Sequence, residues 1–157
     1  MATTESLDDA LGRAYRFLGQ RDRSVAEVRK HLLGRNVGEA TVEEAIAELA
    51  VQGYLDDARL AQRFTEDRRS LDSWGSERIE RRLSELGVDR ELIAAALTAG
   101  EGGELDAAVD FLHRRFPVAP ENDRERDRAL KMLVRKGYAL GLAYDAVNAV
   151  SRERDAA

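Results

Sequence analysis

The chain has no cysteine, and only two prolines, two histidines and one tryptophan in 157 residues. Without cysteine there is no disulfide, no thiolate metal site and no cysteine nucleophile, and a reducing compartment fits. No apolar run reaches the 18 residues of a membrane span. Residues 1–9 have neither a basic region nor an apolar core, so no secretory signal is expected, and the expected location is cytoplasmic. Catalytic signatures are missing too: there is no H-E-x-x-H, no G-x-S-x-G and no G-x-x-x-x-G-K-[ST]. His31 and His113 read as partly exposed helix residues. Asp56 and Asp57 supply too few converging oxygens for a metal ion. The expectation is a protein with no catalytic residue, no metal, no cofactor and no enzyme activity.

No alternating run of strand length occurs, whereas helical spacing recurs throughout. The chain aligns on the ends of three helices: Leu32…Asn36-Val37, Leu83…Gly87-Val88 and Leu133…Gly137-Tyr138, at periods of 51 and 50 residues. Gly and Asn best tolerate the left-handed residue that ends a helix. Val42, Ile46 and Leu49 then match Ile93 and Leu97, and match Ala143, Val147 and Val150, at the spacing of one helix face. A further helix opens each copy, with stripes Ala10-Leu11-Ala14-Phe17-Leu18, Ala58-Ala61-Phe64 and Ala107-Ala108-Phe111-Leu112. Ser24 with Glu27 and Thr41 with Glu44 read as capping boxes, Asp89 as an N-cap and Asp57 as the cap of the helix from Ala58. Tyr54 and Leu55 are expected to pack across the seam between copies. Pro117, Pro120, Glu121 and Asn122 mark a loop, and Trp74 reads equally as core plug or exposed anchor. The ends, residues 1–5 and Arg152 to Ala157, are expected to fray.

The expected fold is all-α: a tandem array of three three-helix repeats over residues 7–57, 58–103 and 104–151. The alternative is a single helical bundle. A copy of about 50 residues buries too little surface to stand securely alone, so neighbouring copies must supplement its core.

Net charge is −5, not a nucleic-acid binder's balance. The middle segments differ from the rest. Residues 23–35, 75–86 and 124–136 carry +3, 0 and +4, leaving −12 for the remainder. Lys30, Arg81 and Lys131 each stand two residues before an anchor leucine, and equivalent positions of a regular array face one way. Together with Arg78, Arg82, Arg128 and Arg135 they form the candidate partner-binding set, suited to an acidic protein surface or to phosphate; solvated helix faces are the plain alternative. Glu39, Glu43, Glu44 and Glu48 make the third helix of the first copy acidic.

Gly53-Tyr54-Leu55-Asp56-Asp57, followed by Ala58-x-x-Ala61-x-x-Phe64, resembles the signature of the bacterial RecX regulators of the recombinase RecA. Trp74-Gly75-x-x-Arg78-Ile79, Leu133-x-Arg135-Lys136-Gly137-Tyr138 and the opening Arg23-Ser24-x-x-Glu27-Val28 fit as well, so the resemblance covers roughly residues 7–150. It implies an elongated, curved all-α array and a non-enzymatic monomer that binds RecA filaments on single-stranded DNA. Such proteins inhibit filament growth, ATPase, strand exchange and coprotease activity, and so act on recombination, DNA repair and the SOS response. Some bind single-stranded or duplex DNA directly. Two departures stand out: the acidic net charge, which argues against direct DNA binding, and Gly100, Gly102 and Gly103, which would loosen the joint between copies two and three. A stand-alone helix-turn-helix DNA-binding regulator is the alternative function. The signature Gly53 to Asp57 is assigned to structure.

Overall fold

The computed structural model describes residues 5–99 and 103–157. Among them are nine α-helices and no strand: α1 (Leu7–Leu18), α2 (Val25–Leu33), α3 (Glu39–Val51), α4 (Asp57–Asp72), α5 (Ser76–Glu85), α6 (Arg90–Thr98), α7 (Glu104–Arg115), α8 (Asp123–Lys136) and α9 (Leu140–Ala156). Gly100 and Gly102 lie outside the described residues; Gly103 is the N-cap of α7.

The chain divides into two compact units, Met1–Gln62 with Leu83–Ala96 and Arg63–Arg82 with Leu97–Ala157. In the first, α1, α2 and α3 pack on one another. Ala10 and Ala14 let α1 approach closely, while Val28, Leu32, Val42, Ile46 and Leu49 fill the space between helices. In the second, α7 and α8 pack on α9 through Ala108, Leu112, Ala129, Leu133, Ala143, Val147 and Val150. Each fully buried Leu or Val stabilises its core by about 1.5–3 kcal/mol relative to exposure.

The three aligned helix ends share one device. Asn36, Gly87 and Gly137 have φ of 61°, 81° and 100°. The next residue's N–H returns to the anchor carbonyl: Val37 to Leu32 at 3.2 Å, Val88 to Leu83 at 3.1 Å and Tyr138 to Leu133 at 3.1 Å. The left-handed residue reverses the chain and drops the following apolar side chain into the core.

Several local expectations change. Thr41 caps nothing, because α3 already begins at Glu39 behind Gly38. After the tight reversal at Asn36 only Val37 and Gly38 precede α3, so Thr41 falls inside its first turn. The Ser24–Glu27 capping box is present in full. Ala58 faces outward, and the buried positions of α4 are Ala61 and Thr65. Leu55 is in the core, but Tyr54 stays 57% exposed, edge-on to Tyr15 at 5.3 Å. At the C-terminus α9 continues to Ala156, held by buried Ser151 and by Arg154 donating to the Pro120 carbonyl at 2.7 Å.

Asp57 has a different task from the expected one. Asp56 Oδ1 accepts the Arg59 N–H at 3.0 Å and caps α4. Asp57 Oδ1 instead accepts the Val25 N–H at 3.0 Å, at the first residue of α2. The same joint recurs in the second unit, where Glu104 Oε1 accepts the N–H of Ser76, the first residue of α5, at 2.7 Å. In each case an acid opening one helix satisfies a free N–H opening an earlier one, where the helix dipole favours negative charge.

Candidate partner-binding surface

The basic residues of the second unit are organised by α8. Arg124, Arg128, Lys131 and Arg135 follow 4, 3 and 4 residues apart, which places them on one helix face. At 1.5 Å per residue the row spans about 16 Å. All four line one shallow hollow, with Asn122, Glu125 and Asp127. Arg135 also lines a second hollow with Arg78, Arg81, Glu77, Val134 and Gly137. Through that shared arginine, α8 and α5 present one continuous basic surface.

The helices are fixed before the side chains act. Asn122 caps α8, its side chain accepting the Glu125 N–H at 2.9 Å, and Gly137 ends it in the left-handed conformation. Gly75 lies against the α8 terminus: its N–H bonds the Lys136 carbonyl at 2.8 Å, and the Glu77 N–H bonds the Gly137 carbonyl at 3.0 Å. A Cβ at Gly75 would come within 2.4 Å of the Gly137 backbone, so only glycine allows this approach.

Of the expected set, Arg78, Arg81, Arg128, Lys131 and Arg135 come together here. Arg78 lies 4.1 Å above the half-buried Trp74 ring, which in turn meets Phe64 edge-on at 6.0 Å. Trp74 is therefore a platform that holds an arginine at the rim, a cation–π contact. Lys131 is paired along the helix with Asp127 at 2.9 Å, an exposed pair of small energetic weight. Arg128 lies 5.8 Å from the Phe116 ring. Arg81 and Arg135 are exposed and, among the described residues, have no ion-pair partner. Arg82 is exposed on α5 outside both hollows, and Lys30 is exposed on α2 in the first unit. Arg124 joins the expected set from the same basic segment, residues 124–136; its four-residue spacing from Arg128 is the signal in the sequence. Val134, which carries no such signal, is 44% exposed beside three arginines.

The acidic third helix of the first unit keeps Glu39, Glu43, Glu44 and Glu48 exposed, with Glu43 bound to Arg29 at 2.8 Å. His31 stacks flat on Phe17 at 3.9 Å, and Arg23 lies 3.9 Å from the same ring. Burial, then the nearby Arg35, Arg23 and Arg13, holds the His31 pKa below its ordinary value. His113 is exposed and meets Glu153 at 2.7 Å. Among the described residues no three His, Asp or Glu side chains are grouped to hold a metal ion, and no helix is long and apolar enough to cross a membrane.

Comparison with known proteins gives this geometry a context. The models of the first and second three-helix domains of RecX match residues 10–49 and 56–97. The regulatory protein RecX of Stenotrophomonas maltophilia is 32% identical over 127 residues, covering 80% of this chain and 77% of that protein. The regulatory protein RecX of Yersinia enterocolitica is 30% identical over 154 residues, covering 84% and 92%. Among solved structures, the RecX crystal structure from Lactobacillus salivarius superposes with a TM-score of 0.77 over 96% of this chain and 97% of that one, at 20% identity. That likeness bears on the fold, a helical repeat. With both domain models matched and relatives aligned over most of their length, the chain belongs to the RecX family of regulatory proteins.

Proposed function

We propose that this protein is a non-enzymatic regulator that binds RecA filaments on single-stranded DNA and inhibits their growth, ATPase, strand exchange and coprotease activity. The observation that carries the reading, beside family membership, is the basic surface of α5 and α8, where Arg81 and Arg135 stand exposed with no carboxylate partner among the described residues, in a chain of net charge −5. A local cationic strip on an acidic protein suits one specific anionic partner better than indiscriminate polyanion binding. Lys30, on the equivalent helix of the first unit, is assigned to the same docking event, and Arg82 to its margin. Three-helix copies over 7–57, 58–103 and 104–151, joined in one chain, would add their weak contacts through effective concentration. The protein acts as a cytoplasmic monomer.

The test is single-stranded-DNA-dependent ATP hydrolysis by the cognate RecA, titrated with this protein. Inhibition below equimolar ratio is expected. The triple variant Lys30→Glu, Arg81→Glu, Lys131→Glu should require about ten-fold more protein for the same inhibition, a loss of about 1.4 kcal/mol. Undiminished inhibition by the folded variant would remove the assignment of these bases. Duplex binding without RecA, falling steeply with salt through counterion release, would favour the stand-alone DNA-binding reading instead.

A further inference from the structure

A further hollow in the Arg63–Arg82 and Leu97–Ala157 unit shares no lining residue with the two basic hollows of α5 and α8. The C-terminal ends of α4, α7 and α8 meet around a hollow lined by Leu71, Asp72, Ser73, Phe111, Arg114, Arg115 and Lys136. Leu71 is 72% exposed there, and Phe111 is only half-buried. Cations at helix C-termini are expected from the macrodipole alone. The dipole explains neither the exposed leucine nor the backbone of Ser73.

Ser73 is buried with φ of 56°, the conformation that Asn36, Gly53, Gly87 and Gly137 adopt elsewhere in the described chain. Glycine would sit there without strain. What serine adds is its Oγ, which accepts a hydrogen bond from Arg114 Nη2 at 2.6 Å. Lys136 is held likewise, donating to the Asp72 carbonyl at 3.0 Å with its Nζ 5.5 Å from the Phe111 ring. The Asp72 carboxylate is engaged by Arg68. Arg115 is exposed and, among the described residues, has no ion-pair partner. The result is an apolar floor of Leu71 and Phe111 with two cations fixed at its edge and a third left open.

We infer that this hollow is a docking site for an acidic peptide segment carrying one large apolar side chain. The apolar group lies against Leu71 and Phe111, and flanking carboxylates meet Arg114 and Arg115. Charge complementarity selects the acid, since a guanidinium with one bond made still has donors for a carboxylate. The exposed leucine selects the apolar anchor, which a bare phosphodiester lacks. Ser73 is the positioning residue, because it fixes Arg114 at the cost of backbone strain. This site is independent of the filament-docking reading above.

The probe is a short fluorescein-labelled peptide of Asp and Glu with one central Phe, titrated into the full-length protein and read by anisotropy. Its partner probes have Ser in place of Phe, or are oligothymidylate of equal charge. Binding should weaken about ten-fold without the Phe, and the Phe peptide should bind about ten-fold more weakly to Leu71→Asp or Arg115→Glu, both at exposed positions where thermal stability should hold. Ser73→Gly should keep or raise the melting temperature yet weaken the peptide, a split that a purely structural serine would not give. Absence of peptide binding, equal binding by the wild type and both surface variants, or competition by oligothymidylate as effective as that by the Phe peptide, would each overturn the proposal.

Discussion

The two units build the same joint from different chemistry. In the first, the hydroxyl of buried Ser24 donates to the Leu86 carbonyl, and a Cβ at Gly87 would fall 2.4 Å from that of Ala26. In the second, the residue 51 positions later is Gly75, whose own N–H makes the equivalent bond to Lys136, backbone against backbone. Asp57 and Glu104 complete the two joints from the opening residue of a later helix. A side-chain hydroxyl bridges one gap; in the other the chains close until no gap remains. Repeats thus keep a contact while exchanging its atoms, which explains why a repeat is recognisable by spacing when its identities drift.

The tighter joint is the more sensitive to substitution. Gly75→Ala should cost about 3 kcal/mol, the upper end of an overpacking strain, because the new methyl meets Gly137 backbone that cannot swing aside. Chemical denaturation reads it, and a loss below about 1 kcal/mol would mean the second joint yields as readily as the first. Ser24→Ala should cost about 1–2 kcal/mol, since it removes the α2 cap and leaves the Leu86 carbonyl without its donor. Ser24→Gly sharpens the question: if it loses as much as alanine, the hydroxyl and not the missing Cβ carries the first joint.

The acids give a smaller contrast. Burial, with Asp89, Asp56 and Glu27 nearby, raises the Asp57 pKa even though the Val25 N–H opposes the shift. A raised carboxyl pKa means the folded state takes up the proton first, so this group favours folding more as pH falls from its folded to its unfolded pKa. Asp57→Asn, which keeps an acceptor, should hold stability within about 1 kcal/mol at neutral pH, while Asp57→Ala should lose about 1 kcal/mol. Equal losses for both would show that the charge itself secures α2.

The smallest effect belongs to His31. Its pKa is lowered in the folded state, so the unfolded chain binds the proton more readily. Its contribution is present above the unfolded value, about pH 6.5, and declines as pH falls toward the folded value. In thermal scans across that range, His31→Gln should flatten the acid-side slope slightly; an unchanged slope would assign it to the carboxylates.

Much of this was legible in one dimension. The anchors Leu32, Leu83 and Leu133, their following apolar residues and the left-handed Asn36, Gly87 and Gly137 are read from spacing, because a helix end is a local event and glycine has a local reason to be there. So are the all-α class and the Ser24–Glu27 cap. The seven bases could be singled out, yet not grouped: the row along α8 follows from helical period, whereas its union with Arg78 and Arg81 requires α5 to lie beside it. Asp57 was misplaced for the same reason. Its sequence neighbours point to a cap on its own helix, and only packing brings the first N–H of α2 within 3.0 Å. Sequence alone determined the helical class, the Ser24 start of α2, the left-handed helix ends and that the pattern repeats, since these depend on residues a few positions apart. Tertiary structure decided which glycine touches which backbone, which acid serves which helix and which cations share a surface, since those contacts join residues tens of positions apart.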